Sequence, residues 1–319
     1  MTFINDQILF ILMNCLSLDE SRYPRLDNIL YRLEYERLDL SDIDYSSSFN
    51  SWQVSTFRDL ILDAHGGEYR KRKDGGLYIE EHIAEVMEFG EQMRVPPSVI
   101  IAYGLHDFIE DHRNKTSYSI DKQSSREGNK GYLEQQIRNM SLKSIDRNII
   151  LNVTGFMTKP TDEELEGTVL NNKDEKNSNT KKTKDDDRRF VGKVFGSLGG
   201  KYWDRKLLTG CRVNDTQRFY SWLGILLDTY SNSNSQEEPK PTDENPQKFY
   251  SNLRRNTLRM VQMGRLLDFS IRNSSTRHLL LDRDEYDRFR EEKFIPRMVE
   301  GIDKFSINIE DKLKQYWNL

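Results

Sequence analysis

The sequence predicts an all-α protein. Apolar residues recur at three- and four-residue spacing through most of the chain, and the alternation that a half-buried strand needs is scarce. Two stretches break the periodicity, 159–187 and 231–247. Both are polar insertions with helical pattern resuming on either side, so they read as surface excursions and not as joints between domains.

Taken in order, "NDQILFILMNCL" reads as a packed N-terminal helix. Its apolar run of about ten residues falls short of the roughly 20 that a membrane span needs, and it lacks the basic start and cleavage site of a signal peptide. "PRLDNILYRLEYERL" and "SWQVSTFRDLILDAH" follow. "EEHIAEVMEFGEQMR" sets Ile83, Val86, Met87 and Gly90 on one face, with His82 at its head. In "PPSVIIAYGLHDFIED" the prolines mark a start that Ser98 can cap. "KGYLEQQIRNM" and "SIDRNIILNVTGFM" come next. Beyond the first insertion lie "DDDRRFVGKVFGSL", "KYWDRKLLTGCRVNDTQRFYSWLGILLDTY", "NPQKFYSNLRRNTLRMVQMGRLLDFSIR" and a long C-terminal stretch from Arg283. The organisation predicted is an N-terminal helical extension (1–50), a core (51–228) and a C-terminal helical extension (229–319). The extensions are expected to cover the core's edges or to mediate self-association into a homo-oligomer.

Composition narrows the function. A net charge of −4 argues against general binding of duplex nucleic acid. Cys15 and Cys211 are the two cysteines and form no C-x-x-C pair, which excludes a disulfide scaffold or thiolate zinc site and suits a reducing, cytoplasmic setting. "GSLGGKY" lacks the spacing of a phosphate-binding loop and follows no strand pattern.

The informative stretch is "GLHDFIED", Gly104 to Asp111. Charged groups enter an apolar segment only when paired or bound to a metal. On a continuous helix, His106 would lie above Glu110, and Asp107 above both Glu110 and Asp111. Histidine beside aspartate offers one cation a nitrogen and an oxygen, the mixed set that suits manganese, iron or zinc. Two ligands are too few. His82 is the natural third, and Asp215, isolated among Leu207, Leu208, Val213 and Phe219, is the expected fourth.

A histidine, a His-Asp pair and a distal aspartate on separate helices resemble the HD-type metal phosphohydrolases. "DAHGGEYRKRKDGGLYIEEH" followed by "GLHDFIED" is similar to the hydrolase domain of RelA/SpoT proteins and the small alarmone hydrolases. Their pattern is A-H-x-G-Q-x-R-K-S-G-x-P-Y-I-x-H-P, then L-H-D-x-x-E-D. "NVTGFMTKP" is similar to a following segment of those proteins, so the resemblance covers roughly residues 52 to 225. This chain departs by two extra residues in the basic loop, one more before His82, and Ile83 in place of proline. The family's distal motif is L-A-D-R-x-x-N. With Asp215 as its aspartate the asparagine position holds Phe219, and pairing Arg212 with the motif's arginine instead would put Cys211 at the ligand position.

The resemblance implies an HD-domain helical bundle that removes the 3′-pyrophosphate from guanosine tetra- or pentaphosphate. Manganese is the cofactor it implies, with zinc, iron or magnesium as alternatives. His82, His106, Asp107 and Asp215 would hold the ion, and Glu110 and Asp111 would orient the water and handle its proton. Arg70, Lys71, Arg72, Lys73 and Tyr78 would contact the nucleotide, arginine by stacking and by bidentate phosphate bonds. Lys159 and Arg188 are weaker phosphate candidates, while His65, His112 and His278 read as packing or rim residues. Two other readings stay open: action on another nucleotide (an adenosine alarmone, a deoxynucleoside phosphate or a phosphorylated dinucleotide), or a degenerate site that binds nucleotide and signals.

Overall fold

Local signals start and stop the helices. The computed structural model describes residues 22–35, 49–69, 75–111, 122–158, 215–234, 246–272, 279 and 281–303. Helix α1 is Pro24–Tyr35 and α2 is Ser51–His65. Asn50 caps α2 reciprocally: its side chain accepts from the Gln53 N–H at 3.0 Å, and the Gln53 side chain accepts from the Asn50 N–H at 2.9 Å. Past His65 the chain turns at Gly67, whose φ of +84° is the left-handed region that glycine enters without strain. A π-helical turn, Ile79–Ile83, runs into α3, Ala84–Gln92. Helix α4 (Pro97–Gly104) is followed by the short α5 (Phe108–Asp111), then α6 (Lys122–Asn139) and α7 (Ser144–Met157). Helices α8 (Asp215–Asn234) and α9 (Pro246–Arg272) follow. Last come α10 (Arg283–Phe289), a second π-helical turn (Arg290–Phe294) and α11 (Ile295–Asp303). The fold is all-α: among the described residues there is no strand, only an isolated bridge between Tyr69 and Leu77.

Helix α8 lies at the centre and packs against α3, α7 and α9, while α4 packs between α3 and α7. Close approach depends on Gly224. A Cβ there would fall 2.5 Å from Met157 Sδ and 2.6 Å from Tyr103 Cε1. The Tyr103 hydroxyl donates to the Tyr220 carbonyl at 2.8 Å, fastening α4 to α8 within the core.

Helices outside the span 51–228 pack into the same core. Leu26, Ile29, Leu30 and Leu33 of α1 are buried in the same core as α3 and α4, so this part of the N-terminal segment is integral. The Glu80 carboxylate accepts from the backbone N–H groups of Arg25 (2.9 Å) and Leu26 (3.2 Å), satisfying donors that a helix start leaves open. Arg25 also bonds the Glu80 carbonyl at 2.6 Å and pairs with Glu88, so α1 is fixed to the turn that carries His82. At the other end, the limit drawn at residue 228 falls inside α8, and Met260, Met263 and Leu267 of α9 join the same core. The second insertion was expected from residue 231, yet helix continues to Asn234 and both Ser231 and Ser233 are buried. Ser98 is not a cap. Helix α4 begins at Pro97, and Ser98 is buried within it.

Candidate metal centre

"GLHDFIED" is not one continuous helix. Helix α4 ends at Gly104, residues 105–107 form a tight turn, and helix resumes at Phe108. The Phe108 N–H reaches back three residues to Leu105 and the Glu110 N–H three residues to Asp107, each at 3.0 Å. The His106 side chain contributes to the break, because its Nδ1 lies 2.6 Å from the Tyr103 carbonyl. A carbonyl only accepts, so Nδ1 carries a proton and Nε2 is the nitrogen left to face the site.

His82 sits in the π-helical turn, where one extra residue re-aims the side chain relative to an α-helix. It is fully buried, and its Nδ1 lies 2.9 Å from Ser231 Oγ. The two imidazole rings stand edge to face with centroids 5.4 Å apart. Both Nε2 atoms are buried without a hydrogen-bond partner.

Two carboxylates face those nitrogens. Asp107 Oδ2 is 3.2 Å from His106 Nε2 and 3.9 Å from His82 Nε2. Asp228 Oδ1 is 3.3 Å from His82 Nε2 and 3.6 Å from His106 Nε2. Atoms bound to one ion at about 2.1 Å lie about 3.0–3.4 Å apart in octahedral or tetrahedral sets. Two of the four distances fall in that range and two lie a little beyond it; His82, His106 and Asp107 gather closely enough to hold one ion, and Asp228 flanks both nitrogens as the candidate fourth donor. Asn232 steadies the fourth residue, its amide donating to Asp228 Oδ1 at 2.6 Å.

The aspartate set beside the two imidazoles is Asp228, and not the expected Asp215. Asp215 is the first residue of α8, thirteen positions earlier (228 − 215), which at 1.5 Å per residue is about 20 Å along the helix. The signal was present in the sequence. Leu226-Leu227-Asp228 is followed four residues after the aspartate by Asn232, the spacing of the motif sought at Asp215. Cys211 lies outside the described residues.

Tyr78, expected at the nucleotide, lies beside the histidines. Its hydroxyl donates to Asp107 Oδ2 at 2.8 Å, and its ring lies between His65 (4.8 Å) and His82 (4.9 Å). Through its hydroxyl it orients a carboxylate of the site. His65 is buried against it, as a packing residue should be. Glu110 is half-buried one turn beyond the His-Asp pair, and Asp111 closes α5. Arg70, Lys71, Arg72 and Lys73 lie outside the described residues, as do Lys159, Arg188, His112 and His278. Between the described residues on either side of 70–74, the Tyr78 N–H donates to the Glu68 carbonyl at 2.9 Å.

Burial and charge act differently on the two histidines. Burial pushes the His82 pKa down, against the attraction of Asp228, so this imidazole stays neutral. Burial also opposes charge on His106, but Asp107 and Asp228 together hold its pKa well above the ordinary value. Asp228 is held below the usual carboxylate range: burial would raise it, and the two imidazoles outweigh that. A proton and a cation thus compete for the His106 Nε2 lone pair. Cation affinity should be full above the raised His106 pKa and fall about tenfold per pH unit below it. Mn²⁺ titrations at stepped pH check this, and a flat affinity across neutral pH would rule out the competition.

No protein-family model matches the chain, and no curated protein or solved structure matches it significantly. Among the described residues no helix is long and apolar enough to cross a membrane.

Proposed function

We propose that the chain is a metal-dependent phosphohydrolase of the HD type acting on a small phosphorylated nucleotide, with guanosine 3′-pyrophosphates as the first substrates to consider. One observation carries the reading: two buried imidazole nitrogens without hydrogen-bond partners gather with Asp107 in a group that could hold one ion, and Asp228 Oδ1 lies within 3.6 Å of both nitrogens. Leaving such groups buried costs free energy that a bound cation offsets. The run Leu226 to Asn232 supports the resemblance further, since it supplies the aspartate and the asparagine at the family's spacing.

A divalent cation held by His82, His106, Asp107 and Asp228 supplies a Lewis acid for a phosphoryl oxygen and makes water more acidic. Manganese is the first choice for this mixed nitrogen and oxygen set. The chain's own residues do the remainder. Glu110 takes a proton from the attacking water as its oxygen bonds to phosphorus. The bond from phosphorus to the ribose 3′ oxygen breaks, and that oxygen takes the proton that Glu110 removed from the water, so pyrophosphate and a 3′ hydroxyl result. Tyr78 holds Asp107 throughout. The arginines and lysines of 70–73 supply positive charge for a compact polyanion.

The test is pyrophosphate release from guanosine and adenosine 3′-pyrophosphates with Mn²⁺ and with chelator, comparing the native chain with Asp107→Asn. Mn²⁺-dependent release lost in the variant is expected, and the panel reads the base preference. A chain that binds Mn²⁺ yet turns over none of the panel would refute the substrate and move the proposal to another phosphorylated compound.

A further inference from the structure

We infer that Ser231 and Glu85 form a relay that sets the tautomer of His82 and thereby aims its Nε2 lone pair into the centre, an inference that rests on reading the centre as a cation site. Ser231 Oγ is the junction. It lies 2.9 Å from His82 Nδ1 and donates its proton to Glu85 Oε2 at 2.5 Å. A serine hydroxyl has one proton, and an ionised carboxylate only accepts. With that proton committed to Glu85, the oxygen meets His82 as an acceptor. Nδ1 must then carry the hydrogen, leaving Nε2 as the atom that faces Asp228 at 3.3 Å.

The two histidines turn Nε2 toward the site by different routes. For His106 the acceptor is a backbone carbonyl, which no substitution at that residue removes. For His82 it is a side chain on α8, three residues beyond Asp228, backed by an acid on α3. One helix therefore delivers both a carboxylate to the site and the group that orients an imidazole of the site. Ser231 is fully buried in this arrangement, so water does not substitute for it freely. Outer partners of this kind fix ring orientation and raise ligand basicity. Ser231 and Glu85 are positioning residues, acting through His82.

Ser231→Ala and Glu85→Ala separate the relay from simple packing. In Ser231→Ala the acceptor is gone. In Glu85→Ala the serine is kept, but its proton is released and can be donated to Nδ1, which would drive His82 toward the Nε2–H form. The metal-free proteins are examined by ¹⁵N NMR with labelled histidine, and Mn²⁺ affinity is measured by calorimetry. Native His82 should show the Nδ1–H pattern, and both variants should lose it. Mn²⁺ binding should weaken about 10- to 100-fold in each. Should Ser231→Ala fail to fold, Glu85→Ala at a half-buried position decides alone. Unchanged tautomer and Mn²⁺ affinity within about twofold of native would overturn the relay. A native chain that takes up no Mn²⁺ would sink the cation reading, and the nitrogen spectra would still decide the relay: it stands if the variants lose the Nδ1–H pattern and falls if they keep it.

Discussion

Replacing Asp228 by asparagine should weaken Mn²⁺ binding by more than about 100-fold, beyond the range that outer partners of a metal site command. Asp215→Asn should leave it within about twofold of native. The contrast follows from geometry. Asp228 Oδ1 lies within 3.6 Å of both imidazole nitrogens, while Asp215 stands at the far end of the same helix. Asparagine is nearly isosteric, and its amide oxygen can still accept from Asn232, so circular dichroism of the variant should match the native chain. What is lost is the negative charge. The raised His106 pKa should drop with it, since Asp228 is one of the two carboxylates that hold it up. Calorimetric titration of both variants is the check. Loss of binding in Asp215→Asn with retention in Asp228→Asn would reverse the assignment.

Glu110→Gln should lower kcat on the responsive nucleotide by about 10²- to 10⁴-fold, the usual contribution of a positioned acid or base. Mn²⁺ affinity should stay near native, because Glu110 is not among the four residues that converge on the centre. Its backbone is tied to the Asp107 carbonyl at 3.0 Å, which holds this part of α5 one turn beyond the His-Asp pair. Glutamine keeps the shape and hydrogen-bonding reach but cannot take a proton. The split between kcat and metal affinity is the informative readout. If kcat survives in Glu110→Gln and collapses in Asp111→Asn, the proton-handling role passes to Asp111. If both variants turn over normally, neither residue handles the proton.

Much of the fold could be read from periodicity alone. The segments "SWQVSTFRDLILDAH" and "SIDRNIILNVTGFM" coincide with α2 and α7, because their apolar residues share one face. The first half of the site was equally visible, since a histidine and an aspartate inside an apolar run demand partners. The second half was obscured by composition. "DTYSNSNS" contains mostly turn-forming residues and reads as the start of a loop. In the structure those side chains bond within their own helix: Thr229 Oγ1 donates to the Ile225 carbonyl at 2.7 Å, and Ser233 Oγ to the Tyr230 carbonyl at 2.8 Å. Polar residues that satisfy themselves locally can be buried, so α8 runs past the point where composition says it should stop. The turn at 105–107 escaped notice for another reason. Bonds reaching back three residues keep nearly the same face as a helix, and an apolar pattern does not separate the two.

The separation along the chain between the two halves of the centre bears on how the protein is made. Glu85 and His82 meet Ser231 across 146 and 149 residues of sequence. During synthesis, the segment bearing His82, His106 and Asp107 leaves the ribosome long before α8 does, at translation rates of about 5–20 residues per second. A nascent chain can pack α1 against α3 in that interval, but it holds no complete cation site. Only the emergence of α8 brings Asp228, and with it Ser231, to the waiting histidines, so the centre is assembled late.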